Sequence, residues 1–289
     1  MELRRGTVTA NDVTFAYLEA GDGPLALCLH GFPDSARTWR HLLPALAAAG
    51  FRAVAPWMRG YAPSSLAPDG CYQSGALAAD ANALHAALGG GPDAVLIGHD
   101  WGALAAYGAA AHEPDRWRRV VTMAVPPPAA MGEAFFRYDQ IKRSFYIFFF
   151  QTPFAEAAVA HDDFAFIAGL WRDWSPGYDG TDDVAWVKES LRDPANLAAA
   201  IGYYRAMFDP SRHQERYAAA QAATAQSPPQ PTLYLHGDTD GCLGVDLVAG
   251  AAAALSPGSE AVVVQGAGHF LHVEKPEEVN RLVVDWVRA

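Results

Sequence analysis

Five consecutive apolar residues, Leu25-Ala26-Leu27-Cys28-Leu29, end at His30-Gly31, and the same design recurs along the chain. A run this short, with no polar alternation, suits a strand buried on both faces. Trp39 to Ala49 follows with helical character until Gly50, and Phe51 to Ala55 is a second short strand closed by Pro56. Gln73 to Leu88, rich in Ala and Leu, reads as a helix stopped by Gly89-Gly90-Gly91. Ala94 to Ile97 reads as a strand, Ala103 to Ala111 as a small-residue helix and Val120 to Met123 as a further strand, with an early one over Val13 to Glu19. Strand–helix alternation of this kind predicts an α/β fold, with a mostly parallel sheet and helices on both faces.

The rhythm stops at Pro126-Pro127-Pro128 and resumes after Ser227-Pro228-Pro229-Gln230-Pro231. Between them no clear strand appears, and ten of the 14 phenylalanines fall there. That stretch is expected to form an apolar helical insert. Thr232 to Leu235 and Ala261 to Val264 then read as strands, with helices near Asp246 to Leu255 and from Pro276. The expected organisation is a split core, 1–125 and 231–289, carrying a helical cap or lid at 126–230. A length of 289 residues fits one large domain with an insertion.

Composition narrows the function classes. The chain has 21 Lys and Arg against 32 Asp and Glu, a formal net charge of −11. Such a surface repels phosphate backbones, so a nucleic-acid partner is not expected. No run approaches twenty apolar residues, which predicts no membrane-spanning helix. The opening Met1-Glu2-Leu3-Arg4-Arg5-Gly6-Thr7 lacks the apolar centre of a signal peptide, and Cys28, Cys71 and Cys242 form neither a zinc pattern nor a disulfide framework. The expectation is a cytoplasmic protein with no metal and no cofactor. Whether it forms a homo-oligomer stays open.

The most informative string is Gly98-His99-Asp100-Trp101-Gly102, set between a predicted strand and a predicted helix. Glycines two before and two after a central residue permit a strained strand-to-helix turn that exposes its side chain. Such a turn is a nucleophile elbow, here with Asp where many hydrolases carry Ser. The alternative is an aspartate that merely caps its helix. On this motif the sequence resembles the α/β-hydrolase superfamily. It is most similar to the aspartate-nucleophile branch of epoxide hydrolases and haloalkane dehalogenases, over nearly the whole chain. An aspartate, with a reference pKa near ~3.9, is ionised at neutral pH. It can displace a leaving group at saturated carbon without first losing a proton, leaving an alkyl ester that water must then hydrolyse.

The resemblance implies the remaining parts. In Gly266-Ala267-Gly268-His269-Phe270, His269 matches the family's catalytic histidine, the expected general base, with His272 as a nearby competitor. In His236-Gly237-Asp238-Thr239-Asp240, the acid three residues past the glycine is Asp240, with Asp238 as the alternative; it would orient and stabilise the imidazole. The place after the preceding core strand, where some dehalogenases put this acid, reads Ala124-Val125-Pro126. His30-Gly31-Phe32-Pro33 resembles the oxyanion-hole motif, so the backbone N–H groups of Phe32 and Trp101 would bind the developing charge. His30 and His99 read as structural, and Arg59-Gly60-Tyr61 resembles a family loop near the core.

The insert separates the branches. Halide departure calls for N–H donors, often an Asn after the His-Gly pair, where this chain has Phe32. Epoxide opening calls for an acid, and a phenol stays protonated at neutral pH. Ser144-Phe145-Tyr146-Ile147 and Gly202-Tyr203-Tyr204-Arg205 resemble the cap segments that carry the two catalytic tyrosines of epoxide hydrolases, at Tyr146 and Tyr204, with Tyr203 the neighbour of the second. The resemblance implies conversion of an epoxide and water to a vicinal diol. The expected catalytic set is Asp100, His269, Asp240, Tyr146 and Tyr204, with Phe32, Trp101 and the two tyrosines contacting a small apolar or aryl epoxide. The alternatives are a haloalkane dehalogenase-type enzyme and a non-catalytic ligand-binding protein of this fold.

Overall fold

The computed structural model describes residues 3–132 and 134–289. One eight-stranded sheet runs through it: β1 (Arg4–Ala10), β2 (Val13–Ala20), β3 (Leu25–Leu29), β4 (Arg52–Pro56), β5 (Val95–His99), β6 (Arg119–Met123), β7 (Thr232–Gly237) and β8 (Glu260–Val264). Their spatial order is β1-β2-β4-β3-β5-β6-β7-β8. β1 and β2 pair antiparallel, as do β2 and β4, and all remaining neighbours are parallel. β3 and β5 are buried at every position, as expected of unalternating apolar runs. The α/β hydrolase fold, with its mostly parallel sheet and inserted helices, therefore stands as expected.

Helices α1 (Leu42–Ala48), α2 (Ser74–Ala87) and α3 (Trp101–His112) follow the early strands. The predicted continuous helix over Trp39 to Ala49 divides into a 3-10 turn, Ala36–Arg40, and α1. Pro44 explains the break. It lacks an N–H and clashes inside a helix, but is tolerated in the first turn, where α1 puts it. Between β6 and β7 lie α4 (Pro128–Met131), α5 (Tyr138–Arg143), α6 (Phe145–Phe149), α7 (Ala155–Trp174), α8 (Thr181–Leu191), α9 (Pro194–Phe208) and α10 (Ala218–Ala223). No strand interrupts them among the described residues, matching the expected helical insert. α11 (Ala251–Ala254), α12 (Leu271–Glu274) and α13 (Pro276–Arg288) complete the chain. Near Asp246 to Leu255 the structure has a 3-10 turn, Val245–Gly250, and only one turn of α-helix, because Gly250 is a poor helix residue in the middle of that stretch.

The sheet order positions the site. β3 lies between β4 and β5, so the chain leaves it in opposite directions on its two sides. A crevice therefore forms at the carboxyl ends of β3 and β5, the usual ligand position in open α/β sheets. His30 to Phe32 leaves one of those ends and Asp100 the other. No helix among the described residues is long and apolar enough to cross a membrane.

Candidate active site

Asp100 sits between β5 and α3 with φ 54° and ψ −118°, a conformation that costs a non-glycine residue about 1–3 kcal/mol. It makes no capping bond to its own helix. Its carboxylate turns away from α3, and Oδ1 accepts a hydrogen bond of 2.7 Å from the Phe32 N–H. Close packing makes that possible. A Cβ on Gly98 would lie 2.1 Å from the Gly102 carbonyl oxygen, and one on Gly31 would lie 2.2 Å from Asp100 Oδ1. Trp101 opens α3, so its N–H has no intrahelical acceptor. Of the two expected oxyanion donors, only the Phe32 amide bonds the resting carboxylate. The Trp101 amide makes no such bond.

The loops after β7 and β8 bring the acid and the imidazole together. His269 Nδ1–H donates to Asp240 Oδ2 at 3.0 Å, and Nε2 lies 3.6 Å from Asp100 Oδ2. Asp240 Oδ1 in turn accepts from the N–H groups of Cys242 and Leu243, at 2.7 and 3.0 Å. Asp238, the alternative acid, accepts instead from the Ala267 N–H and does not reach the imidazole. His272 is directed elsewhere, with Nε2 2.5 Å from the Thr38 hydroxyl. His30 and His99 brace the backbone. His30 Nε2 accepts from the Met58 N–H, and His99 Nε2–H donates to the His269 carbonyl. Arg59 is fully buried in a bidentate pair with Asp80.

Burial acts against the charged form of His269, but the charge of Asp240 and the Asp100 carboxylate outweigh it and raise the imidazole to about 10. For Asp240 burial opposes ionisation too, and the facing imidazolium holds the carboxyl below its ordinary range. In the unfolded chain an imidazole keeps its proton only below about pH 6.5. The folded pair therefore contributes its stability in full below that pH and loses it as pH climbs toward about 10. Between pH 7 and 10, the Tm of the wild type is expected to fall more steeply than that of His269→Gln. Parallel curves would contradict the assignment.

Two phenols complete the enclosure. Tyr146, on α6, and Tyr204, on α9, are buried with ring centroids 5.5 Å apart, edge to face. Burial first, then neighbouring charge that includes Asp100, pushes both hydroxyls well above the ordinary tyrosine value, so both stay protonated. The Tyr146 hydroxyl lies 3.4 Å from Cys242 Sγ, and the buried Tyr204 hydroxyl has no hydrogen-bond partner among the described residues. Tyr203 is occupied differently. Its hydroxyl donates to the Arg59 carbonyl at 2.7 Å.

Asp100, Trp101 and both tyrosines line a cavity of about 230 Å³. Its remaining walls include Leu104, Val125, Met131, Ile147, Met207 and Leu243, none of which the sequence singled out. Leu104 alone carried a local signal, since it stands one helical turn beyond Asp100 and must share its face. The 630 Å³ groove between α7 and α8 is larger, but it carries Asp163, Arg172, Lys188 and Glu189 and excludes Asp100. Two buried clusters hold three candidate metal-ligand atoms each, Asp34/His99/His272 and Asp240/Cys242/His269. In the second, both Asp240 oxygens already accept hydrogen bonds. In the first, burial raises the Asp34 carboxyl well above its ordinary range and so favours its neutral form, a poor cation ligand.

A strained turn at the carboxyl edge of a parallel sheet, facing an Asp–His pair from the ends of β7 and β8, is the arrangement of α/β hydrolases. The sequence pattern of the alpha/beta hydrolase fold family matches residues 24–160. Epoxide hydrolase A of Mycobacterium tuberculosis is 31% identical, with 97% of this chain and 96% of that protein aligned. An epoxide hydrolase from an endophytic Streptomyces is similar in structure, with a TM-score of 0.79 at 30% identity over 99% of this chain and 95% of that one. Epoxide hydrolase A of Mycobacterium thermoresistibile gives 0.80 at 27% identity, covering 100% and 99%. The chain belongs to the epoxide hydrolase family of α/β hydrolases.

Proposed function

We propose that this protein hydrolyses an epoxide to a vicinal diol through a covalent ester on Asp100, with the helices of 126–230 acting as a cap over the site. The observation that carries the reading is the juxtaposition in one cavity of Asp100 with two protonated phenols, Tyr146 and Tyr204, beside the His269–Asp240 pair. Asp100 Oδ2 forms a bond to a ring carbon as the carbon–oxygen bond breaks. The departing oxygen takes its proton from a tyrosine while the other phenol donates a hydrogen bond.

Ester formation removes the negative charge beside His269 Nε2. One of the two carboxylates that held the imidazole protonated is gone while Asp240 remains, so the imidazolium is a stronger acid than before and gives its proton to the phenolate, which restores the phenol. A resting cation thereby becomes a base only after the ester exists. Neutral His269 then takes a proton from water, and the hydroxide adds to the ester carbonyl, where the Phe32 amide receives the charge on oxygen. The Trp101 amide is proposed as a second donor once the carboxyl group has moved. Collapse expels the second alkoxide, which is protonated by His269, and the new carboxylic acid returns its proton to the imidazole. Asp240 holds the imidazole tautomer throughout.

A single turnover in heavy-oxygen water is expected to place label in the Asp100 carboxylate and none in the first diol released. Label appearing directly in the diol would mean that water, not Asp100, opens the ring. A dehalogenase-type reading has no separate observation in its favour: Phe32 supplies a ring, not an amide side chain, at the place where an Asn would meet a halide.

A further inference from the structure

Resting on that reading, we propose that the substrates are small terminal epoxides bearing one apolar substituent, and that Phe150 and Phe32 exclude a substituent on the second ring carbon. Beyond Asp100, Trp101 and the two phenols, the cavity is walled mostly by apolar side chains. Leu104, Val125, Ile147 and Leu243 line this apolar arm together with Met207, which is 41% exposed. Neither Phe32, Phe150 nor Trp174 lines it.

Those three rings lie outside that lining, packed against the two tyrosines and His269. Phe150 is fully buried and meets Phe32 at 5.4 Å, Tyr204 at 5.1 Å and Tyr146 at 5.7 Å, each near edge-on. Trp174 adds contacts to Tyr146 at 4.9 Å and His269 at 5.0 Å. Edge-to-face rings at these spacings are in full contact, and such an interior leaves no room for even a methyl group without displacement. A ring carbon bonded only to hydrogen fits against this wall, and a substituted one collides with it. The arm takes the other substituent. At about 230 Å³ the cavity is below the ~300–1,000 Å³ typical of drug-sized ligands, which favours a phenyl or short alkyl group. Among the described residues, no charged side chain lines the arm beyond Asp100 itself.

The test compares kcat/KM for styrene oxide with that for trans-1-phenyl-1,2-epoxypropane, which adds one methyl group on the second carbon. The wild type is expected to favour the terminal epoxide by about tenfold or more. Phe150→Leu is expected to shrink that ratio at least about threefold by raising turnover of the internal epoxide. Leu104→Phe, which fills the arm, is expected to depress styrene oxide relative to propylene oxide, and it probes the same geometry should the Phe150 variant fail to fold. Comparable wild-type turnover of both phenyl epoxides would overturn the inference while leaving the hydrolase reading intact. Silence toward all three epoxides would remove that reading and this inference together.

Discussion

Treated with styrene oxide, the His269→Gln variant is expected to gain the mass of one whole epoxide, and peptide mapping should place the adduct on Asp100. In the proposed scheme ring opening needs the Asp100 carboxylate and the phenols, none of which this substitution removes. Hydrolysis of the ester needs a base, and with an uncharged amide in place of the imidazole none remains beside the carbonyl. Steady-state turnover should fall by about 10²–10⁴, the usual contribution of a positioned general base, while the burst of epoxide consumption persists. An unmodified protein that still makes diol at the wild-type rate would refute the two-step scheme. An adduct on another residue would reassign the nucleophile.

The second large effect concerns the leaving oxygen. Tyr146→Phe and Tyr204→Phe each remove one hydroxyl and keep the ring that packs against Phe150, so the fold should survive. Each single variant is expected to lose about 10- to 100-fold in the rate of ester formation, and the double variant roughly 10³-fold or more. The loss belongs in the first step, and the hydrolysis of preformed ester should change little. Stopped-flow quenching of Trp101 fluorescence, whose ring lies 5.0 Å from Tyr204, offers a readout of that step. A double variant within a few-fold of wild type would show that the protein supplies no acid here. A Tyr203→Phe control should cost stability rather than rate, because its hydroxyl supports the Arg59 carbonyl.

What could be read from sequence was what is local. Asp100, Asp240 and His269 each sit within a few residues of a strand end and a glycine, and the structure brings those three within hydrogen-bonding or near-contact distance. Runs such as Leu25 to Leu29 announced themselves because burial on both faces leaves no polar alternation. β1 gave no such signal. It is an edge strand pairing only with β2, and Arg4, Arg5, Thr7 and Thr9 stand largely in solvent, so hydrophobic periodicity had nothing to act on. The cavity walls were illegible for another reason. Val125, Met131, Ile147, Met207 and Leu243 come from five separate segments, and only the folded chain decides which apolar residue faces the carboxylate.

Phe32 has two duties that its chemistry keeps apart. Its peptide nitrogen binds the Asp100 carboxylate, and on the proposed reading its ring sets a steric limit. Any replacement except proline retains the first while altering the second. On that reading, substrate range can drift, or be engineered, by trading one side chain for another without dismantling the apparatus proposed to stabilise charge. A serine or cysteine oxyanion donor acting through its side chain would offer no such freedom, since shape and electrostatics would then change together.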